Sequence, residues 1–235
     1  MGPALCEVVD AQGVAGAEPP SSPGVAERVV RDVGPVDALA VNRTVAPART
    51  ASAARRRRRT DGKPPMSARV TVRPERVQDV AAIAAVVAAA FANHPRSDGS
   101  EPRIVERLRA RGALVVSLVA EEESAIVGHV ACSPVSVDGR TCGWFGLGPL
   151  SVSPAHQRRG VGRALVDEAL STLRAHGARG CVGLGNAAYY GRFGFRADPA
   201  LRLPGFPEEH FLALVFGASM PSGVVAYDPS FAAAG

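Results

Sequence analysis

The 235-residue chain predicts a mixed α/β domain preceded by an extension without regular structure. Three observations support this reading. Proline interrupts the first 65 residues at Pro3, Pro19, Pro20, Pro23, Pro35, Pro47, Pro64 and Pro65, and no helical or strand period is sustained there. Strand-like alternation then begins abruptly after Met66. From that point strand and helix signals follow one another to the end of the chain, with no internal repeat.

A segment as poor in contiguous apolar residues as 1–66 buries too little surface to offset its ordering entropy, so it is read as a disordered extension, with the folded domain over 67–235. Met66 is one expected true initiator. The net charge of +5 is unevenly placed: residues 1–65 hold ten Lys/Arg against seven Asp/Glu, and 66–235 hold seventeen against fifteen. Half of the early basic residues form the run Arg55–Arg59, which reads as solvated charge, and nucleic acid is not an expected partner. No apolar run approaches the roughly 18 residues a membrane span needs, so no membrane partner is expected. The first ten residues lack a basic region followed by an apolar run and do not read as a secretory signal. Cys6, Cys132, Cys142 and Cys181 show no CxxC or Cys/His ligand spacing; they are read as free thiols in a reducing cytoplasm, with no metal site.

Within the domain, Val70-Thr71-Val72-Arg73 alternates like a strand and Pro74 stops it. Residues 78–91 carry Val80, Ile83, Val86, Val87 and Phe91 at helical spacing. A loop over 93–100 leads to a second helix over 102–111. Strands are predicted at 114–120 and 126–132, separated by the acidic turn Glu121–Ser124. Asp138-Gly139 marks a hairpin turn, and a further strand runs over 143–152. A helix over 157–175 places Val161, Leu165, Ala169 and Leu173 on one face and ends at His176-Gly177, where glycine accepts a left-handed conformation. A strand at 181–184, a short helix at 187–193 and a last core strand at 211–216 complete the order β-α-α-β-β-β-α-β-α-β.

The stretch that carries chemistry is Leu150-Ser-Val-Ser-Pro-Ala-His-Gln-Arg-Arg-Gly-Val-Gly-Arg-Ala-Leu165. A strand ends near Val152, a loop crosses Pro154, and a helix opens within residues 157–162. The first turn of a helix leaves N–H groups without intrahelical acceptors, and the positive end of the macrodipole adds to their pull on an anion. Gly160 and Gly162 let a phosphate approach the backbone, and Arg158 and Arg159 add charge there. The segment lacks the Gly-Lys-Ser/Thr of a Walker loop and is not a full GxGxxG.

Gln157, Arg158, Arg159, Gly160, Val161 and Gly162 resemble the Gln/Arg-x-x-Gly-x-Gly/Ala signature of the GNAT superfamily of acyl-CoA N-acyltransferases. Tyr189-Tyr-Gly-Arg-Phe-Gly-Phe195 resembles that family's Phe-Tyr-x-x-x-Gly-Phe segment. Together with Gly146-Leu-Gly-Pro-Leu150, these motifs look like the bacterial YhbS-like subgroup, and the resemblance covers about residues 69–232. It implies a central mixed, largely antiparallel sheet flanked by helices, and an N-acetyltransferase that moves an acetyl group from acetyl-CoA to a primary amine of a small molecule or protein. The implied transfer is direct, in a ternary complex, without a metal, in a monomer or homodimer. By position, Leu150 and Val152 would pair with the pantetheine arm, and the amides of Arg158, Arg159, Gly160, Val161, Gly162 and Arg163 would hold the diphosphate together with Val152. Tyr190 would be the general acid, with Tyr189 the lesser candidate. Asn186 would either bond pantetheine or substrate or cap the short helix.

No general base stands out. Many relatives carry a glutamate on the strand before the signature, and residues 143–152 hold no carboxylate; the subgroup's acidic residue near position 215 is here Val215. Glu208, Glu209 and His210 read better as a surface loop, and His129 as a core histidine. The missing carboxylates leave a second reading, a CoA-binding sensor or interaction module that keeps the fold.

Overall fold

The computed structural model describes residues 70–94, 97–217 and 219–232. The expected extension over 1–66, its boundary with the domain, Cys6 and the run Arg55–Arg59 lie outside the described residues.

Nine strands form one sheet in the order β1-β2-β3-β4-β5-β8-β6, with β9 paired to both β3 and β7. They are β1 Thr71–Pro74, β2 Val116–Glu122, β3 Ala125–Val137, β4 Arg140–Val152, β5 Gly180–Leu184, β6 Arg196–Ala197, β7 Leu201–Arg202, β8 Phe211–Val215 and β9 Gly223–Ala226. The helices are α1 Val80–Phe91, α2 Glu101–Ala110, α3 Val161–Ala175 and the single turn α4 Ala187–Tyr190. β1 to β4 are antiparallel neighbours, β4 and β5 run parallel, and β5 and β8 are antiparallel. The sheet is therefore mixed and mostly antiparallel, as the motifs imply.

Two tight hairpins set the register of the first half. Glu123 and Ser124 both have positive φ (51° and 69°), as do Asp138 and Gly139 (48° and 73°), the geometry whose twist matches paired strands. β3 runs five residues past the expected Cys132 end, through Pro134. Pro134 falls where the outer edge of β3 passes from its last β2 pair, at Cys132, to its first β9 pair, at Ser136, so its missing N–H interrupts no pairing on that edge.

The sheet is buried on both faces. In β2, Leu118 and Ala120 pack toward α3 while Val119 packs toward α1. α3 buries Val161, Leu165, Ala169 and Leu173, the expected face, together with Val166 and Leu170. It ends in a Schellman closure: Gly177 is left-handed (φ 74°), and Ala178 N–H bonds Leu173 C=O at 3.0 Å. α1 buries Ile83, Val86, Val87 and Phe91. Val80, expected on the same face, is 36% exposed because it opens the helix, directly after the turn Val77–Asp79. α3 also begins four residues later than the expected position 157, since Pro154–His156 forms a 3-10 turn and residues 157–160 a separate turn before it.

Candidate active site

The site begins where the sheet separates. β4 and β5 pair from Trp144↔Gly180 to Leu147↔Gly183 and no further. Between Leu147 and Leu150 two residues of β4, Gly148 and Pro149, face one of β3, Ala131, a bulge that bends the strand. Beyond it Leu150, Ser151 and Val152 stay paired to β3 on one side, opposite Val130, His129 and Gly128. Their other edge has no strand beside it among the described residues, so a wedge lined by main-chain groups opens between β4 and β5. Such an edge takes an extended ligand through backbone hydrogen bonds.

The wedge leads to the start of α3. Gln157 Nε2 donates to Val152 C=O at 3.1 Å and closes the connecting loop on the strand end. Arg158 (φ 59°) and Gly160 (φ 86°) are left-handed, and Gly160 caps α3 without a side-chain acceptor on the first amides. The first bond of the helical ladder runs from Ala164 N–H to Gly160 C=O at 3.0 Å, leaving the preceding amides available to an anion. A Cβ on Gly160 would meet nothing within 4 Å, so the space above it is open. A Cβ on Gly162 would stand 2.9 Å from the Tyr189 hydroxyl oxygen, which places that phenol at the first turn of α3.

Arg159, expected to add charge at the phosphate site, is engaged by a carboxylate of β2. Its guanidinium donates to Glu122 Oε1 at 2.9 Å, and His156 Nε2 lies 3.0 Å from Glu122 Oε2. The carboxylate at the end of β2 was invisible to local sequence reasoning because its partners lie more than thirty residues away. Arg163 sits on the exposed face 3.5 Å from Asp167. Among the described residues Arg158 is thereby the loop's cation with no carboxylate at its side.

Tyr190 is 1% exposed and Tyr189 8%. A Cβ on Gly183 would lie 3.6 Å from the Tyr190 ring, so this ring covers the last β5 residue paired to β4, at the point of separation. Its other walls are Phe195 and Tyr189, both edge-on at 5.3 and 5.4 Å between centroids. Asn186 caps α4: its Oδ1 accepts from Ala188 N–H at 2.8 Å and Tyr189 N–H at 3.1 Å. Its carboxamide N–H groups are the donors left for a ligand.

The base candidates are separated. Glu208 and Glu209 are exposed, and His210 is held against the end of β5 by the bond from Gly185 N–H to His210 C=O at 2.9 Å. His129 is fully buried, with Nε2 2.9 Å from Ser117 Oγ. Ser117 donates to Glu75, which also holds Arg109 through two bonds of 2.9 Å. With its proton committed to Glu75, Ser117 must accept from His129 Nε2–H, which fixes the neutral tautomer. Burial pushes this imidazole down to about 4, despite the pull of Glu75. Burial also raises the Cys132 thiol to about 12 and Cys181 well above the usual thiol range, so neither is a nucleophile at neutral pH. Among the described residues no group of three or more His, Cys, Asp or Glu is placed to hold a metal ion, and no helix is long and apolar enough to cross a membrane.

Comparisons with known proteins bear on the family and the fold. The model of the acetyltransferase (GNAT) domain matches residues 114–197. The uncharacterized N-acetyltransferase YhbS of Escherichia coli K12 is 40% identical over 111 residues, 45% of this chain and 66% of that protein. The uncharacterized N-acetyltransferase YjhQ of the same strain is 35% identical over 115 residues, 46% of this chain and 61% of YjhQ. The aligned part thus spans slightly under two thirds of these curated relatives. A GNAT family acetyltransferase from Brucella melitensis, solved in complex with acetyl-CoA, is 47% identical, with a TM-score of 0.64 over 70% of this chain and 99% of that one. E. coli YhbS in complex with CoA is 32% identical, with a TM-score of 0.64 over 74% and 96%. The chain belongs to the GNAT acetyltransferase family.

Proposed function

We propose that the protein is an acetyl-CoA-dependent N-acetyltransferase that passes the acetyl group directly to a primary amine while both are bound. One observation carries the reading: a two-strand wedge opens onto a helix start whose amides lack acceptors and whose Gly160 leaves room for a phosphate. The relatives solved with acetyl-CoA and CoA support the same ligand.

In this reading the exposed edge of Leu150–Val152 aligns the pantetheine arm as an added strand. The amides of Arg158, Arg159, Gly160, Val161, Gly162 and Arg163, with Arg158 as the cation, take the diphosphate at the positive end of α3. The carboxamide N–H groups of Asn186 bond the arm from the opposite side. Holding the thioester at the wedge brings it beside Tyr190, and positioning supplies much of the rate. Tyr190 gives its phenolic proton to the departing thiolate. The protonated, buried Cys132 and Cys181 favour direct transfer over an acyl-cysteine enzyme. The amine proton leaves through water or arrives already lost, since β4 carries no carboxylate.

Incubation of the full chain with acetyl-CoA and a panel of amines, followed by thiol release, tests this. Amine-dependent release of CoA is expected. CoA binding with no release across the panel would instead establish the binding-module reading, which the carboxylate-free β4 favours.

A further inference from the structure

We infer that Glu122 is a positioning residue for the diphosphate loop: a tether from β2 that holds the loop in its ligand-ready shape. The inference rests on the reading of residues 157–163 as a CoA diphosphate site. Its starting point is an electrostatic oddity. A carboxylate beside a site for a polyanion opposes binding by charge alone, yet Glu122 is held there with its side chain only 10% exposed.

Its two oxygens reach two points of the same loop. Oε2 meets His156 Nε2 at 3.0 Å, at the end of the 3-10 turn Pro154–His156, and Oε1 takes Arg159 at 2.9 Å, one residue before the Gly160 cap. The buried Nδ1 of His156 has no partner among the described residues, which puts the proton of the neutral ring on Nε2, facing Glu122.

The loop needs such a tether. Its last backbone bond on the strand side is the long one from Gln157 N–H to Pro154 C=O, 3.4 Å, and the next is from Ala164 N–H to Gly160 C=O. Between these, Arg158 sits in a left-handed conformation that a non-glycine residue adopts only when its surroundings impose it. The side-chain bonds that impose it are Gln157 to Val152 and the pair on Glu122. Glu122 also neutralises Arg159 and leaves the amides and Arg158 to meet the ligand. The positioning gain outweighs the unfavourable charge because an anion site built from amides works only if their directions are set beforehand.

The test compares wild type, Glu122→Ala and Glu122→Gln by calorimetry with CoA and by NMR titration with pantetheine, which lacks the diphosphate. We expect Glu122→Ala to raise the CoA Kd about tenfold or more, Glu122→Gln to recover most of that loss by keeping an acceptor for Arg159, and pantetheine binding to be alike in all three. Unchanged or tighter CoA binding by Glu122→Ala would overturn the inference and leave the wild-type site intact; equal loss of both ligands would overturn it as well. If Glu122→Ala does not fold, Arg159→Gln cuts the same tether from its exposed end, with the same selective loss expected and undiminished CoA binding as the contrary result. Wild-type protein that takes up no CoA would remove the underlying reading, and the inference with it.

Discussion

Tyr190 and His129 show how burial decides what a polar side chain does. Both are almost inaccessible to solvent, but Tyr190 lies over Gly183 where β4 and β5 part, whereas His129 is enclosed by Ser117, Glu75 and Arg109 under the sheet. Tyr190→Phe should lower kcat by about 10²-fold or more while KM for acetyl-CoA changes little, because a general acid contributes on that order and the ring itself is kept. Steady-state kinetics at saturating acetyl-CoA reads this, and an unchanged kcat would pass the role to Tyr189, whose hydroxyl stands at Gly162. For His129, burial lowers the folded pKa to about 4 from an ordinary 6.5, so the unfolded chain takes up a proton that the folded chain refuses. Stability is then fully present above pH 6.5 and is lost as pH falls towards 4, by up to about 3 kcal/mol. Thermal melts at pH 7.5 and 5 should show a smaller acid loss for His129→Gln than for wild type; equal losses would contradict this.

At the scale of elements, the helix start and the strand wedge depend on glycines in different ways. Gly160 combines a left-handed φ with open space, so Gly160→Val should fold with a modest penalty, about 1–2 kcal/mol, and lose CoA affinity by at least an order of magnitude. Gly146 is the opposite case: a Cβ there would run into the Tyr227 ring, and Gly146→Ala should lower Tm by several degrees, matching an overpacking cost of about 1–3 kcal/mol. Differential scanning calorimetry separates the two. Elements with a strong period were legible in the sequence: the buried face of α3, its glycine stop and the Asp138-Gly139 hairpin all stand where periodicity and turn chemistry put them. The short strands β6, β7 and β9 were not, because two to four residues carry no period and owe their form to pairing with distant partners. The last five residues of β3 were missed for a related reason: beyond Cys132 its outer edge is paired by β9, a distant segment.

For the molecule as a whole, local motifs carried the family resemblance, and tertiary contacts set the surroundings of the proposed ligand site. Residues 157–162 and 189–195 pointed to coenzyme A and the family without any long-range information. The Glu122 tether and the burial of Tyr190 come from chain segments far apart in sequence, and only the fold brings them together. In the proposed function, main-chain amides at the start of α3 bind the diphosphate of coenzyme A. Isothermal titration of CoA into the full chain and into Gly160→Val tests it most directly. Saturable one-to-one binding by wild type and at least a tenfold loss in the folded variant are predicted; no binding heat from folded wild type, or equal affinity in both, would contradict the account.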